Sequence, residues 1–380
     1  MGLLALLWLV GCGEAMGTPD AGGPGGSDAG PPAPDAGPGR DAHVSLPDAG
    51  APPPPDAGEP PEPDAGPAPI SIGTCADPAP PGTPSPDPLP VYAGTCPALV
   101  PGTNTIASSG NDREFILVLP EVLDPTERLP VIFMWHWLGG SASAFVERGE
   151  VQDAANELRF IAVVPEEKGD QPTRWPFLVP PASSDARVDE EVRFFDDMLA
   201  CVGAQFNVNE QCVSSAGVSA GALWTAQLAQ RRSRHLSSFL SLSGGVGTGS
   251  FLQPVREWDG AEHAMPALVL WGGPTDFCGV DFNGASMALE DGLTSDGHFM
   301  VECIHNCSHA QPPLDRTAGM SIFNALWRFA LDHPYWLPPG VSPWTSGGLP
   351  PGTPDWCDIG PGSATIRTGM CEGGILGSCT

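Results

Sequence analysis

The chain has 380 residues, 41% of them hydrophobic, and carries 45 Asp and Glu against 16 Lys and Arg, a formal net charge of −29. An acidic surplus of that size disfavours nucleic acid as a partner and leaves no basic footprint for an anionic membrane surface. The length is enough for one large domain with an ample core once the two ends are set aside.

Leu3 to Val10 form an apolar run too short to span a bilayer, followed by Gly11 and Cys12. A short apolar segment ending in small residues reads as an export signal rather than a transmembrane helix. Leu9-Val10-Gly11-Cys12 resembles the lipobox of bacterial lipoproteins. That resemblance implies that Cys12 is lipidated and becomes the mature N-terminus, so the chain meets the membrane through a lipid anchor. Gly13 does not look like an inner-membrane retention signal, so the outer membrane is the expected address. From 13 to 90 the chain is mostly Pro, Gly, Ala and Asp, with Asp-Ala-Gly recurring from Asp20, Asp28, Asp35, Asp48, Asp56 and Asp64. Proline removes donors, glycine raises the entropy of ordering and the aspartates repel, so this stretch is expected to be a disordered tether.

The expected organisation is therefore a signal at 1–12, a linker at 13–90, a folded domain at 91–334 and an extension at 335–380. Ten cysteines remain beyond Cys12, an even number suited to disulfides in an oxidising compartment. Cys201 and Cys212, which flank the turn between a helix and a strand, are the pair expected from proximity. In the extension, Cys357, Cys371 and Cys379 suggest a disulfide-held surface segment, and Trp336, Trp344 and Trp356 suggest a small flap for stacking on a sugar or polymer.

Apolar runs mark strands at 113–119, closed by Pro120, at 129–135, and at 160–164, stopped by Pro165. Val192, Phe195, Met198, Leu199 and Val202 recur at helical spacing between Asp189 and Phe206. A strand at 213–216 runs through Gly217-Val218-Ser219-Ala220-Gly221 into a helix. Strands at 239–242 and 267–271, an extended stretch at 299–304 and a helix at 318–331 follow. This alternation predicts an α/β fold with a mostly parallel central sheet and helices on both faces, whose ligands gather at the carboxyl ends of the strands.

The pattern G-x-S-x-G between strand and helix is the arrangement that holds a serine on a strained turn, with its hydroxyl clear of the sheet and beside the first N–H groups of a helix. Such a hydroxyl needs a base oriented by a carboxyl group. Asp276, on the loop after the 267–271 strand, is the expected acid, with Asp281 as reserve. Chain order leaves His298, His305, His309 and His333 for the base. His309, in a Cys-Ser-His-Ala-Gln-Pro-Pro loop before the last helix, is first choice and His305 second. Cys303, His305, Cys307 and His309 alternate as zinc ligands could, but exported thiols are more readily oxidised, and a bridge from Cys278 to Cys303 or Cys307 would join the acid and histidine loops. No metal or organic cofactor is expected. The oxyanion donors would be the Ala220 N–H and an N–H of Trp137 or Leu138 in the loop after the 129–135 strand, with the Trp137 indole as a pocket wall.

The segments 131–145, 189–221 and 272–276, and His309 ahead of a helix ending in His333-Pro334, resemble secreted esterases similar to polyhydroxybutyrate depolymerases and feruloyl esterases. The likeness covers about 103–334. It implies an α/β-hydrolase fold in which Ser219 is nucleophile, Asp276 acid and His309 base, in an exported serine esterase with an ester substrate that could be polymeric. A monomer is expected. The family usually has His-Gly where this chain has His136-Trp137. A serine peptidase or amidase, or a surface binding protein that keeps the fold without catalysis, are the alternatives.

Overall fold

The computed structural model describes residues 72–371 except 172, 248, 251 and 252. Cys12, most of the expected linker and Cys379 lie outside the described residues. Among those described, no helix is long and apolar enough to cross a membrane.

Nine strands form one sheet: β1 (Gly102–Ser108), β2 (Asn111–Val118), β3 (Leu129–Trp135), β4 (Ile161–Pro165), β5 (Val208–Val218), β6 (Ser238–Leu242), β7 (Ala267–Trp271), β8 (Met300–Ile304) and β9 (Cys357–Ile359). Their spatial order is β1-β2-β4-β3-β5-β6-β7-β8-β9. The six strands from β4 to β8 are parallel, whereas β1, β2 and β9 add antiparallel edges. Every residue of β3, β4, β6, β7 and β8 is buried. Strands covered on both faces have no solvent side on which polar residues could alternate, which explains their unbroken apolar runs.

The two faces of β3 show how helices close the sheet. Val131, Phe133 and Trp135 join the core shared with α3 (Asp185–Gln205), α4 (Ala220–Arg231) and α5 (Phe282–Ser295). Ile132 and Met134 join a second core with α1 (Ala142–Arg148), α2 (Val151–Leu158) and α6 (Asn324–Leu331). A short α7 (Pro343–Gly347) follows in the extension. The expected 318–331 helix is thus confined to its last eight residues.

Buried charge fixes α3 against β2. Arg113 Nη2 lies 2.7 Å from Glu191 Oε1 and stacks over Phe194, while Arg187 Nη1 lies 2.5 Å from Glu191 Oε2. Two guanidinium groups around one fully buried carboxyl satisfy each other where water cannot.

Four disulfides between described residues stand in place of the expected pairings. Cys212 bonds to Cys75 and Cys201 to Cys96, so Cys201 and Cys212 are not partners. The reason is geometric: each lies on an element whose facing neighbour is the incoming N-terminal segment. That segment is therefore attached well before residue 91. Cys75 N–H also bonds to Leu331 O, and Asp87 pairs with Arg234. Cys303 bonds to Cys357 and Cys307 to Cys371, so Cys278, itself disulfide-bonded, bridges neither of them. The thiolates of the Cys303–His309 run are consumed in this way. Both bonds tie the C-terminal extension to β8 and its loop. Trp336, Trp344 and Trp356 are buried at 2, 3 and 4% exposure, which removes the stacking flap: Trp344 and Trp356 pack into the core that also holds Ile132, Met134 and Phe329.

Candidate active site

The carboxyl ends of β3, β5, β6 and β7 converge, and each is followed by a residue of the site. Ser219 is the turn between β5 and α4, with φ 55° and ψ −118°. A non-glycine residue there is strained, and that strain is what turns its side chain out of the sheet. The flanking glycines are needed for space. A Cβ on Gly217 would stand 2.2 Å from Gly221 O, and one on Gly221 would stand 2.1 Å from Trp135 O. The close fit of α4 against the ends of β3 and β5 depends on both.

Ser219 Oγ lies 2.8 Å from His309 Nε2, and His309 Nδ1 lies 2.6 Å from Asp276 Oδ1. The three side chains are distant in sequence and meet because β5, β7 and β8, with only β6 between the first two, end at the same edge of the sheet. Asp276, 1% exposed, is held by two further donors: the Gly272 N–H at 2.7 Å and the Ser243 hydroxyl at 2.8 Å, both to Oδ2. Its orientation therefore does not depend on the histidine. The His309 ring stacks on Phe282, with centroids 4.2 Å apart and planes at 19°. Phe282 begins α5, so one helix buttresses the imidazole while the strand ends aim it.

The reserve candidates have other duties. Asp281 caps α5, accepting from the Gly284 N–H. His305 is fully buried, its Nδ1 accepts from the Cys307 N–H, and burial lowers its pKa to about 4. It is a neutral packing residue facing Trp356.

Ala220 is the first residue of α4, so its N–H is one of the donors a helix cannot satisfy internally. It adjoins Ser219 on the side of the loop that follows β3. That loop is anchored by His136, whose Nδ1 is 2.9 Å from Trp137 O, and by the Trp175 indole, which donates to His136 O. His136 Nε2 lies 3.1 Å from Glu166 Oε1, near enough to pair though not aligned as a hydrogen bond. Burial opposes charge on Glu166, but His136 and the Ala142 N–H outweigh it and hold the carboxyl below its usual range.

Ser219 and His309 open onto a cavity of about 160 Å³ walled by Trp137, Leu138, Phe145, Val218, Phe323 and Trp327. Four residues that the sequence did not single out shape this site. They are Ser243, Phe282, Glu166 and Arg148, whose guanidinium lies 5.1 Å from the Trp137 ring centroid. Ser243 carried one signal: a serine at a strand end followed by Gly244-Gly245, where the chain takes φ 50°. The others acquire their roles through tertiary contacts alone. Among the described residues, no group of His, Cys, Asp and Glu is arranged to hold a metal.

The strand order, the strained Ser219 turn after β5 and the helices on both faces define the α/β-hydrolase fold. No protein-family model and no curated protein matches the chain. Solved structures do resemble it. Native pOPH is 18% identical, over 72% of this chain and 99% of that chain, with TM-score 0.56. Native sOPH is 18% identical over 71% and 97%, with TM-score 0.56. A pOPH variant in complex with DMSO is 17% identical over 72% and 98%, with TM-score 0.57. At this identity the similarity is one of fold.

Proposed function

We propose that this protein is a serine hydrolase of carboxylic esters. The observation that carries the reading is the hydrogen-bonded line Ser219 Oγ–His309 Nε2, His309 Nδ1–Asp276 Oδ1, at 2.8 and 2.6 Å, opening on an apolar cavity. Ser219 Oγ attacks the ester carbonyl carbon as its proton passes to His309 Nε2. Asp276 holds Nδ1 protonated and the ring oriented, and the proton then goes to the departing alkoxide. The Ala220 N–H and an N–H of Trp137 or Leu138 receive the oxyanion, each donor being worth about 10²–10³ in rate. Water repeats the sequence on the acyl-enzyme and releases the acid.

The aromatic walls support short or aromatic acyl groups, the range that joins polyhydroxybutyrate-like and feruloyl-like esters. The disulfides support an exported protein, for which Cys12 is the proposed lipid attachment. A Cys12→Ser variant that still took up labelled palmitate would sink that part. The test of the activity is hydrolysis of p-nitrophenyl acetate and butyrate by the oxidised full chain and its Ser219→Ala variant, with a p-nitroanilide alongside. Ester turnover lost in the variant is the expected result. Inactivity of a folded parent towards every ester overturns the reading, and preference for the anilide turns it into an amidase.

A further inference from the structure

Acidic residues outnumber basic ones almost three to one in this chain, 45 against 16, yet none lines the cavity beside Ser219. Its one permanently charged lining residue is Arg148, on the last turn of α1. The guanidinium is held over Trp137, the wall that belongs to the oxyanion loop itself, by a cation–π contact. Among the described residues it makes no ion pair. Its acidic neighbour Glu150 is occupied instead by Arg316 and by the Ile322 N–H. Gln311, an exposed amide on the histidine loop, lines the same cavity. Apart from Ser219, Ser243 and His309, the rest of the lining is apolar. Arg148 is itself exposed, at the mouth of this largely apolar cavity. A planar cation with a free donor edge there suits a carboxylate, because its fork matches both oxygens.

We propose that this cavity takes the acyl chain of a hemiester, a dicarboxylic acid esterified at one end only, and that Arg148 binds its free carboxylate. The assignment rests on the ester-hydrolase reading for its chemistry and on the lining for its specificity. The apolar walls cover the methylenes, Ser219 meets the ester carbonyl, and the terminal carboxylate lies against Arg148 with the Gln311 amide as second donor. Hydrolysis consumes one water and releases the alcohol and the dicarboxylic acid.

The test uses the full chain with two substrates of equal length, p-nitrophenyl hydrogen adipate and its methyl ester, and reads the ratio of their kcat/KM values. The parent is expected to favour the free acid. Arg148→Gln should lower that ratio at least tenfold, Arg148→Lys should keep most of it, and Arg148→Glu should invert it. A ratio within twofold of the parent's in Arg148→Gln overturns the proposal. A second readout separates this from the hydrolytic reading: tryptophan-fluorescence titration of the Ser219→Ala protein with monomethyl adipate and with dimethyl adipate. Tighter binding of the anion, lost when Arg148→Gln is added, supports the site even if parent and Ser219→Ala turn over esters equally. Equal binding of the two ligands refutes it even if the esterase is active.

Discussion

Gly272 is where the acid and histidine loops pass closest. Its φ of −84° suits any residue, so only space keeps a side chain out. A Cβ there would stand 1.8 Å from Ser308 O, whereas real Cβ contacts do not fall below 3.0 Å. Gly272→Ala must therefore part the two backbones by at least 3.0 − 1.8, about 1.2 Å. The Gly272 N–H holds Asp276, and Ser308 precedes His309, so the parting falls on the 2.6 Å Asp276–His309 contact. Taken along that line it opens the contact to about 3.8 Å, past hydrogen-bond reach. Misplacement of about 1 Å in a reacting constellation costs on the order of 10²-fold, so kcat/KM for p-nitrophenyl butyrate should drop about 100-fold. Overpacking of this kind costs about 1–3 kcal/mol, which a large domain survives. Gly347→Ala, where a Cβ meets nothing within 4 Å, is the control. A folded Gly272→Ala protein with activity within threefold of the parent would refute the claim that these loops set the triad.

Three further outcomes concern the fold. Replacing Cys75 and Cys212 together by alanine opens a loop with a sequence separation of 137; chain entropy sets the loss at about 5 kcal/mol at most. A urea-unfolding difference under about 1 kcal/mol would mean that contacts alone hold the N-terminal segment. Glu191→Gln leaves Arg113 and Arg187 without their shared buried partner and should cost about 3–5 kcal/mol by the same assay; a neutral result would dissolve the proposed α3–β2 clamp. Glu290 has its pKa pushed up to about 8, by burial first and then by the Glu302 carboxyl. The folded state keeps a proton that the unfolded state releases above about 4.5, so stability should fall as pH rises from about 4.5 to 8. The slope is at most about 1.4 kcal/mol per pH unit, and Glu290→Gln should flatten that part of the melting-temperature profile. Parallel profiles for parent and variant would contradict this.

What could be seen in the sequence was what short-range chemistry dictates. β3 and β7 are legible because strands buried on both faces leave unbroken apolar runs between turn residues. Ser219 is legible because its strain and crowding demand glycines two residues to either side. Asp276 followed from its loop at the end of a strand, and His309 from chain order together with its loop before the last helix. α5 went unseen because Gly284 and Gly292 interrupt its pattern, although Asp281 is a good N-cap. α1 and α2 are short and separated only by Gly149 and Glu150, so neither window shows a full period. The cysteine pairing was misread because nearness in sequence stood in for nearness in space. Cys75 and Cys96 reach Cys212 and Cys201 across separations of 137 and 105 residues. Composition likewise extended the linker too far, since a Pro-rich segment without helix or strand can still be fastened by one disulfide and one ion pair. Buried Trp336, Trp344 and Trp356 looked like exposed rings for the opposite reason: a loop-rich extension gives no periodicity from which burial can be read.

The central claim is that Ser219 is an activated nucleophile. Its most direct test is reaction of the oxidised full chain with an alkyl fluorophosphonate, followed by intact-mass and peptide analysis. Loss of fluoride as the phosphorus–oxygen bond forms should add one phosphonyl group per chain, on the peptide that carries Ser219. Labelling should be abolished in Ser219→Ala and strongly slowed in His309→Ala. An unlabelled Ser219 in a folded protein, or labelling that proceeds at the parent's rate without His309, would contradict it.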